Sequence, residues 1–193
     1  RFYHMLAQRS WAGYLSVIPS REFPMAMMYL ARIKELDIEQ DFNDSVIRFY
    51  CLEDGYRIVM PSIIAWCENC KAVVKAEQVP DDSLIEARID QVESGSLDEF
   101  LRLDDQKRVK EIEYHKRVLA WRKSRISPAK CLVCGSSEFT ELVEPEGYPP
   151  TYPPGVTHVN FGGRNVKLEL FLSGHFNSRG GNELNYDPEG NRV

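Results

Sequence analysis

Four of the five cysteines in this 193-residue sequence form two Cys-x-x-Cys pairs, Cys67-Glu68-Asn69-Cys70 and Cys131-Leu132-Val133-Cys134, with sixty residues between them. Thiolates are soft donors, and two pairs at this spacing can deliver four of them to one tetrahedral ion, two from each turn. Zinc is the metal such a donor set predicts. Gly135 follows the second pair, where a residue without Cβ lets the backbone turn sharply and aim amide groups at sulfur. The expected cofactor is therefore one structural zinc ion held by Cys67, Cys70, Cys131 and Cys134.

Local sequence suggests how these turns are carried. Trp11–Ile18 reads as a strand ending at Pro19, and Pro24 reads as the first residue of a helix bearing Met25, Met28, Tyr29, Ile33 and Leu36 at helical spacing. Val46–Leu52 and Tyr56–Met60 flank Glu53-Asp54-Gly55, and a two-residue Asp-Gly turn would set Cys51 opposite Ile58 and Phe49 opposite Met60. That register makes Cys51 a buried structural thiol beside Ile47, Phe49, Ile58 and Met60, with Arg48 and Arg57 on the other face. Ser83 with Glu86 and Ser96 with Glu99 both fit capping boxes, so the stretch between the cysteine pairs is expected to be two helices. The second runs from Leu97 to about Ile126 with a break at Asp104-Asp105 and an apolar seam of Val109, Ile112, Leu119 and Ile126. Glu138–Val143 reads as a strand. Residues 145–155 form a proline-rich, extended connector, and Val156–Phe161 with Val166–Leu172 make a hairpin across Gly162-Gly163-Arg164-Asn165. From Ser173 the chain is polar and glycine-rich and reads as a mobile tail.

The expected fold class is thus α+β, with small antiparallel hairpins and an N-terminal helix around the four cysteines. Its organisation reads as an N-terminal α+β region over 1–65 and a metal module over 66–144 with a helical insertion at 81–127. The connector 145–155 and a C-terminal hairpin with flexible tail, 156–193, follow. Around residues 64–76 and 128–143 the two turns resemble the knuckles of zinc ribbons, each beside a strand, although the long insertion departs from the usual ribbon. That resemblance implies a structural metal in a nucleic-acid or protein assembly and no particular activity.

Trp66-Cys67-Glu68-Asn69-Cys70-Lys71 also resembles the thioredoxin WCxxCK frame, which implies a reactive first cysteine at a helix N-terminus. The short segment before Pro80, the missing cis-proline pair and the second Cys-x-x-Cys weigh against it. Neither pair is followed by histidine, and there is no phosphate loop, dinucleotide fingerprint or deaminase signature. His4, His115, His158 and His175 show no shared pattern; His115 reads as solvated on a helix, and His158 and His175 as ordinary strand or loop residues beside Asn160 and Asn177. Pro149-Pro150-Thr151-Tyr152 spells the PPxY ligand of WW domains, but such motifs arise often by chance and a rigid tyrosine-proline connector is the preferred reading.

Charge narrows the partners. The formal net charge is −5, and four thiolates around a divalent ion add about −2; such a chain does not coat nucleic acid over its whole surface. One run differs: Lys107, Arg108, Lys110, Lys116, Arg117, Arg122, Lys123 and Arg125 face only Glu111 and Glu113, eight against two, or +6. Tyr114 and Trp121 lie near the same helical face. The leading expectation is a non-enzymatic scaffold or adaptor that contacts proteins within a larger assembly. The alternatives are a nucleic-acid-binding subunit using 107–125 and an enzyme or Cys-x-x-Cys redox protein. An odd cysteine count in paired metal spacing points to a reducing, intracellular compartment, cytoplasmic or nuclear, and no apolar run is long enough for a membrane span.

Overall fold

A computed structural model of the chain describes residues 25–44, 46–97, 103–177 and 183–193. The strand expected over Trp11–Ile18, the Pro24 helix start and His4 lie outside that set. The class is α+β, with ten strands and two α-helices among the described residues. No described helix is long and apolar enough to cross a membrane. Val79–Ile126 belongs to one compact unit, and Phe23–Gln78 with Ser127–Val193 forms another.

The larger unit holds three sheets. In the first, β2 (Ile38–Asp44), β1 (Met25–Ile33), β9 (Arg164–Asn177) and β8 (Gly155–Phe161) lie in that order, every pairing antiparallel. The expected helix from Pro24 is therefore replaced by strand β1. The same residues satisfy a period of two: Tyr29, Ala31 and Ile33 are buried in alternation, and β1 is hydrogen-bonded on both edges. From β9, Val166, Leu168, Leu170 and Leu172 alternate inward to meet them. Val159, Ile64, Trp66, Val73 and Leu142 complete this core. The β8–β9 turn is tighter than expected, since Phe161 pairs with Arg164 and only Gly162 and Gly163, both at positive φ, lie between.

The second sheet is β10 (Glu183–Tyr186), β3 (Ile47–Cys51) and β4 (Arg57–Val59). Its hairpin slips by one residue from the expected register. Leu52 N–H donates to Tyr56 O at 2.9 Å and Gly55 N–H to Leu52 O at 2.9 Å, so the loop is Glu53-Asp54-Gly55 with Gly55 at φ 79°. Three residues in the loop rather than two move every partner by one. Cys51 pairs with Arg57 and Phe49 with Val59, while Tyr50 faces Ile58. The buried face is thus Tyr50, Ile58 and Met60, and Cys51 is only half-buried.

The C-terminal segment is ordered where it is described, contrary to a mobile tail. β10 runs parallel to β3, Tyr186 is buried, and Val193 N–H donates to Asn185 O at 3.1 Å. Asp187 closes the following turn by accepting from the backbone N–H groups of Glu189 and Asn191. This segment meets a buried carboxylate. Glu77, only 1% exposed, accepts from Tyr50 O–H at 2.8 Å and Lys130 N–H at 2.8 Å, and Gly190 approaches it without room for a Cβ. The Glu189 carboxylate and carbonyl accept from Ser127, and Lys130 Nζ donates to the same carbonyl. The connector does not run extended: Tyr152 N–H returns to Tyr148 O at 3.1 Å and the Tyr152 ring lies against Gly147.

The helical unit contains α1 (Asp82–Glu93) and α2 (Asp105–Ser124). α1 begins with Asp81 as its N-cap residue, which leaves Ser83 inside the helix rather than at the head of a capping box. Ser96 instead donates to Gln91 O at the C-terminal end of α1, and Glu99 is outside the described residues. α2 starts at the expected break, where the Asp104 side chain accepts from Lys107 N–H at 2.8 Å. Its buried stripe is Glu111, Tyr114, His115, Val118 and Trp121, with Arg125 just past the helix end. The expected seam does not hold, since Val109 and Ile126 are exposed. His115 is fully buried rather than solvated: its Nε2 lies 3.2 Å from Glu111 Oε1, near the buried Arg88 of α1. Burial pulls the Arg88 guanidinium below its ordinary pKa, and the Glu111 carboxylate opposes that shift. Aliphatic spacing concealed this stripe because half of it is polar.

Gly190 and Gly55 make a matched test of the Glu77 contact. Both have φ near +80°, but a Cβ at Gly55 meets nothing within 4 Å, whereas one at Gly190 collides with the Glu77 carboxylate. Gly55→Ala should cost about 1 kcal/mol in urea unfolding from backbone strain alone. Gly190→Ala should cost at least about 2 kcal/mol more, from displacing a buried hydrogen-bonded group.

Candidate metal centre

The third sheet positions the cysteines. β5 (Ser62–Cys67) pairs antiparallel with β6 (Ala72–Glu77) on one side and with β7 (Phe139–Glu141) on the other. Cys67 is the last residue of β5 and pairs with both Ala72 and Phe139. The second cysteine turn joins the free edge of β6: Leu132 N–H donates to Lys75 O at 2.9 Å, and Ala76 bridges Cys131. Further along this edge the Gln40 side chain exchanges two hydrogen bonds, each 2.9 Å, with the backbone of Val73. Both cysteine turns therefore rest on one three-stranded sheet.

The two turns repeat one geometry. Lys71 N–H donates to Cys67 O at 2.9 Å, and Gly135 N–H donates to Cys131 O at 2.9 Å. Each donor lies four residues after the first cysteine of its pair and has left-handed φ, 51° for Lys71 and 75° for Gly135. Gly135 has open space around it, so its glycine answers to backbone conformation rather than crowding. Lys71 adopts the same conformation with a side chain. Glu68 N–H donates to Glu138 O at 3.0 Å, which ties the first turn to the strand that follows the second.

The four sulfurs converge, each within 4.8 Å of the others. Cys67 Sγ lies 3.6 Å from Cys134 Sγ, and Cys70 Sγ lies 3.9 Å from Cys131 Sγ, and both of these contacts cross between the two pairs. Tetrahedral bonding at about 2.3 Å sets sulfurs about 3.8 Å apart, and these distances bracket that spacing. The donor set fits a metal ion. Cys67 and Cys131 are buried with Val74, and Cys70, Ala72 and Phe139 pack against them; Cys134 is exposed. Val133 N–H points at Cys131 Sγ at 3.4 Å, an amide–sulfur contact of the kind expected around thiolates.

Ionisation is uneven across the cluster. Burial, reinforced by hydrogen bonds from the other three thiols, pushes Cys70 well above its ordinary range, and burial raises Cys131. Burial also opposes ionisation of Cys134, but hydrogen bonds from the Asn69 side chain, the Ser136 backbone and the neighbouring thiols bring it down to about 6. Four thiols in contact cannot all ionise without a cation among them. Asn69, the third residue of the first pair, is a partner that spacing alone did not single out.

The remaining candidates lie elsewhere. No helix follows Cys70; the chain turns straight into β6, which removes the helix N-terminus that the thioredoxin frame requires. The basic run is largely engaged with carboxylates. Lys107 pairs with Asp104, Arg108 with Asp105, and Arg117 with Glu113 on its own helix. Lys116, Arg122 and Lys123 reach across to Glu93, Asp82 and Glu86 of α1. Arg125 is buried, 5.6 Å from the Trp121 ring, and Tyr114 and Trp121 pack inward rather than stand as a stacking surface. Lys110 is exposed on α2. His158 lies on β8 and is not part of the cysteine cluster, and His175 is a residue of β9.

Cys131→Ser should abolish retention of one metal equivalent and lower stability by at least about 3 kcal/mol, read from metal content and urea unfolding. Cys51→Ser, outside the cluster, should keep the metal and change stability by about 1 kcal/mol or less. Comparison with known proteins finds no matching family model, curated protein or solved structure, so the centre has to be understood from its own chemistry.

Proposed function

We propose that this chain is a zinc-stabilised, non-enzymatic scaffold or adaptor subunit that makes protein contacts within a larger assembly. One observation carries the reading: four chain sulfurs lie within 4.8 Å of one another, close enough to share one metal ion, and two of the cysteines are buried. A tetrahedral ion held that way has no vacant position for water or substrate, the arrangement of structural rather than catalytic zinc. The three-stranded sheet bearing both turns supports the resemblance to zinc ribbons, with Val79–Ile126 as an insertion. Thiols kept available for metal suit a reducing, intracellular compartment.

Protein is the preferred partner on electrostatic grounds. The +6 run of α2 is met by Asp82, Glu86 and Glu93 from α1 as well as by its own carboxylates, which weakens the field a phosphate backbone would feel. Exposed apolar side chains offer contact area instead. Val143, Tyr148, Tyr152 and Val156 are each between 37% and 55% exposed around the proline-rich loop of the larger unit.

The test has two arms. The zinc-loaded chain, titrated with single- and double-stranded DNA and RNA at several salt concentrations, should bind none of them at micromolar affinity. Affinity that falls linearly in log salt, and is lost on charge reversal at Arg122, Lys123 and Arg125, would instead establish the nucleic-acid alternative. In native extracts the chain should elute in a stoichiometric complex far above its own 22.3 kDa; elution as a monomer would remove the adaptor reading.

A further inference from the structure

The four cysteine residues differ sharply in exposure, and that asymmetry has a chemical outcome. Cys67 and Cys131 are 0% and 1% exposed, Cys70 is intermediate, and Cys134 is exposed beside Val133, itself 71% exposed. Buried Cys67, from the other Cys-x-x-Cys pair, lies across the centre from Cys134 at 3.6 Å. An oxidant arriving from solvent thus meets one sulfur first, and that sulfur has a resolving thiol at hand.

We propose that the metal centre is a peroxide-sensitive release switch, in which Cys134 is oxidised first and Cys67 resolves it; this rests on the metal reading above. The Cys134 sulfur attacks one oxygen of hydrogen peroxide, the O–O bond breaks, and hydroxide leaves and takes a proton to become water. Cys134 is then a sulfenic acid. The Cys67 thiolate attacks that sulfur, the S–S bond forms, the S–O bond breaks, and the second hydroxide is protonated to water. Two thiolates have lost two electrons and one peroxide has gained them. The metal keeps only Cys70 and Cys131, too few to retain it against a chelator.

The cross-linked pair matters because it joins the end of β5 to the second turn rather than closing either Cys-x-x-Cys on itself. The oxidised chain therefore keeps its two cysteine turns tied together while the ion departs. Thiol reductant and zinc return the centre to its starting state.

The experiment uses the full zinc-loaded chain carrying Cys51→Ser, with metal counted beforehand. Hydrogen peroxide is added in graded amounts with a chromogenic chelator present, a sulfenic-acid trap in a parallel sample, and disulfides mapped by mass spectrometry. The expected result is one zinc released per peroxide consumed, trap on Cys134, a Cys67–Cys134 disulfide, and full reloading after reduction. Cys134→His keeps four ligands and should slow release by at least about tenfold while holding its metal. Release from Cys134→His at the original rate overturns the proposal, as does first trapping at Cys70, a Cys67–Cys70 or Cys131–Cys134 disulfide, or metal retained through peroxide treatment. A chain that carries no zinc at the outset overturns the metal reading together with the switch.

Discussion

Four sulfur atoms held in mutual contact are an electrostatic problem before they are a binding site. Protonated, three of them are merely small hydrophobic groups in or against the Cys67–Val74–Cys131 cluster; ionised, all four repel one another. A divalent cation at their centre converts that repulsion into bonding. Much of the larger unit is arranged so that this can occur at one point. β5 delivers Cys67, the turn into β6 delivers Cys70, and the edge of β6 receives the segment carrying Cys131 and Cys134. Glu77 extends the same junction away from sulfur, through hydrogen bonds that gather Tyr50 of β3 and the backbone of Lys130.

The sequence was most legible where chemistry restricts geometry. Cys-x-x-Cys spacing predicts a turn with two sulfurs aimed alike, and the four cysteines do converge. The Asp104 helix start, the hairpin across Gly162-Gly163 and the mixed α+β class were also readable from local signals. The failures share a physical cause: local patterns admitted two answers and distant partners chose between them. Met25–Ile33 fits a helical and an alternating spacing, and β2 with β9 selects the strand. Glu53-Asp54-Gly55 accommodates a loop of two or three residues, and the longer loop turns Tyr50 inward and Cys51 partly outward. The C-terminal residues look like a tail by composition, yet Tyr186 and Gly190 have partners far away in sequence. Among the site residues, Asn69 was hidden because an amide beside sulfur leaves no periodic trace.

Charge counted along the chain is a poor guide to the field in space. Residues 107–125 gather eight basic side chains, but α1 supplies carboxylates at positions that face them, and Arg125 is drawn under the Trp121 ring. These exposed pairs are individually worth little to stability. Their larger effect is on what the surface attracts. Inside the helical unit the balance differs, with Arg88, Glu111 and His115 buried together where aliphatic side chains would ordinarily pack.

That Val79–Ile126 interrupts the larger unit in sequence bears on how the chain assembles. Glu77 N–H donates to Lys130 O at 2.8 Å, so residues more than fifty apart in sequence become neighbours. Relative to a compact finger with about fifteen residues between its cysteine pairs, sixty is two doublings, which adds only about 1.2 kcal/mol of closure entropy for a flexible segment. The thermodynamic burden is slight; the kinetic one is larger. During synthesis Cys67 and Cys70 leave the ribosome long before Cys131 and Cys134 exist, and for that interval half a metal site stands exposed. The two intervening helices lie close together in sequence and contact each other, a pairing that can form in the meantime. Ion capture is then a late event, one that must await the second cysteine turn.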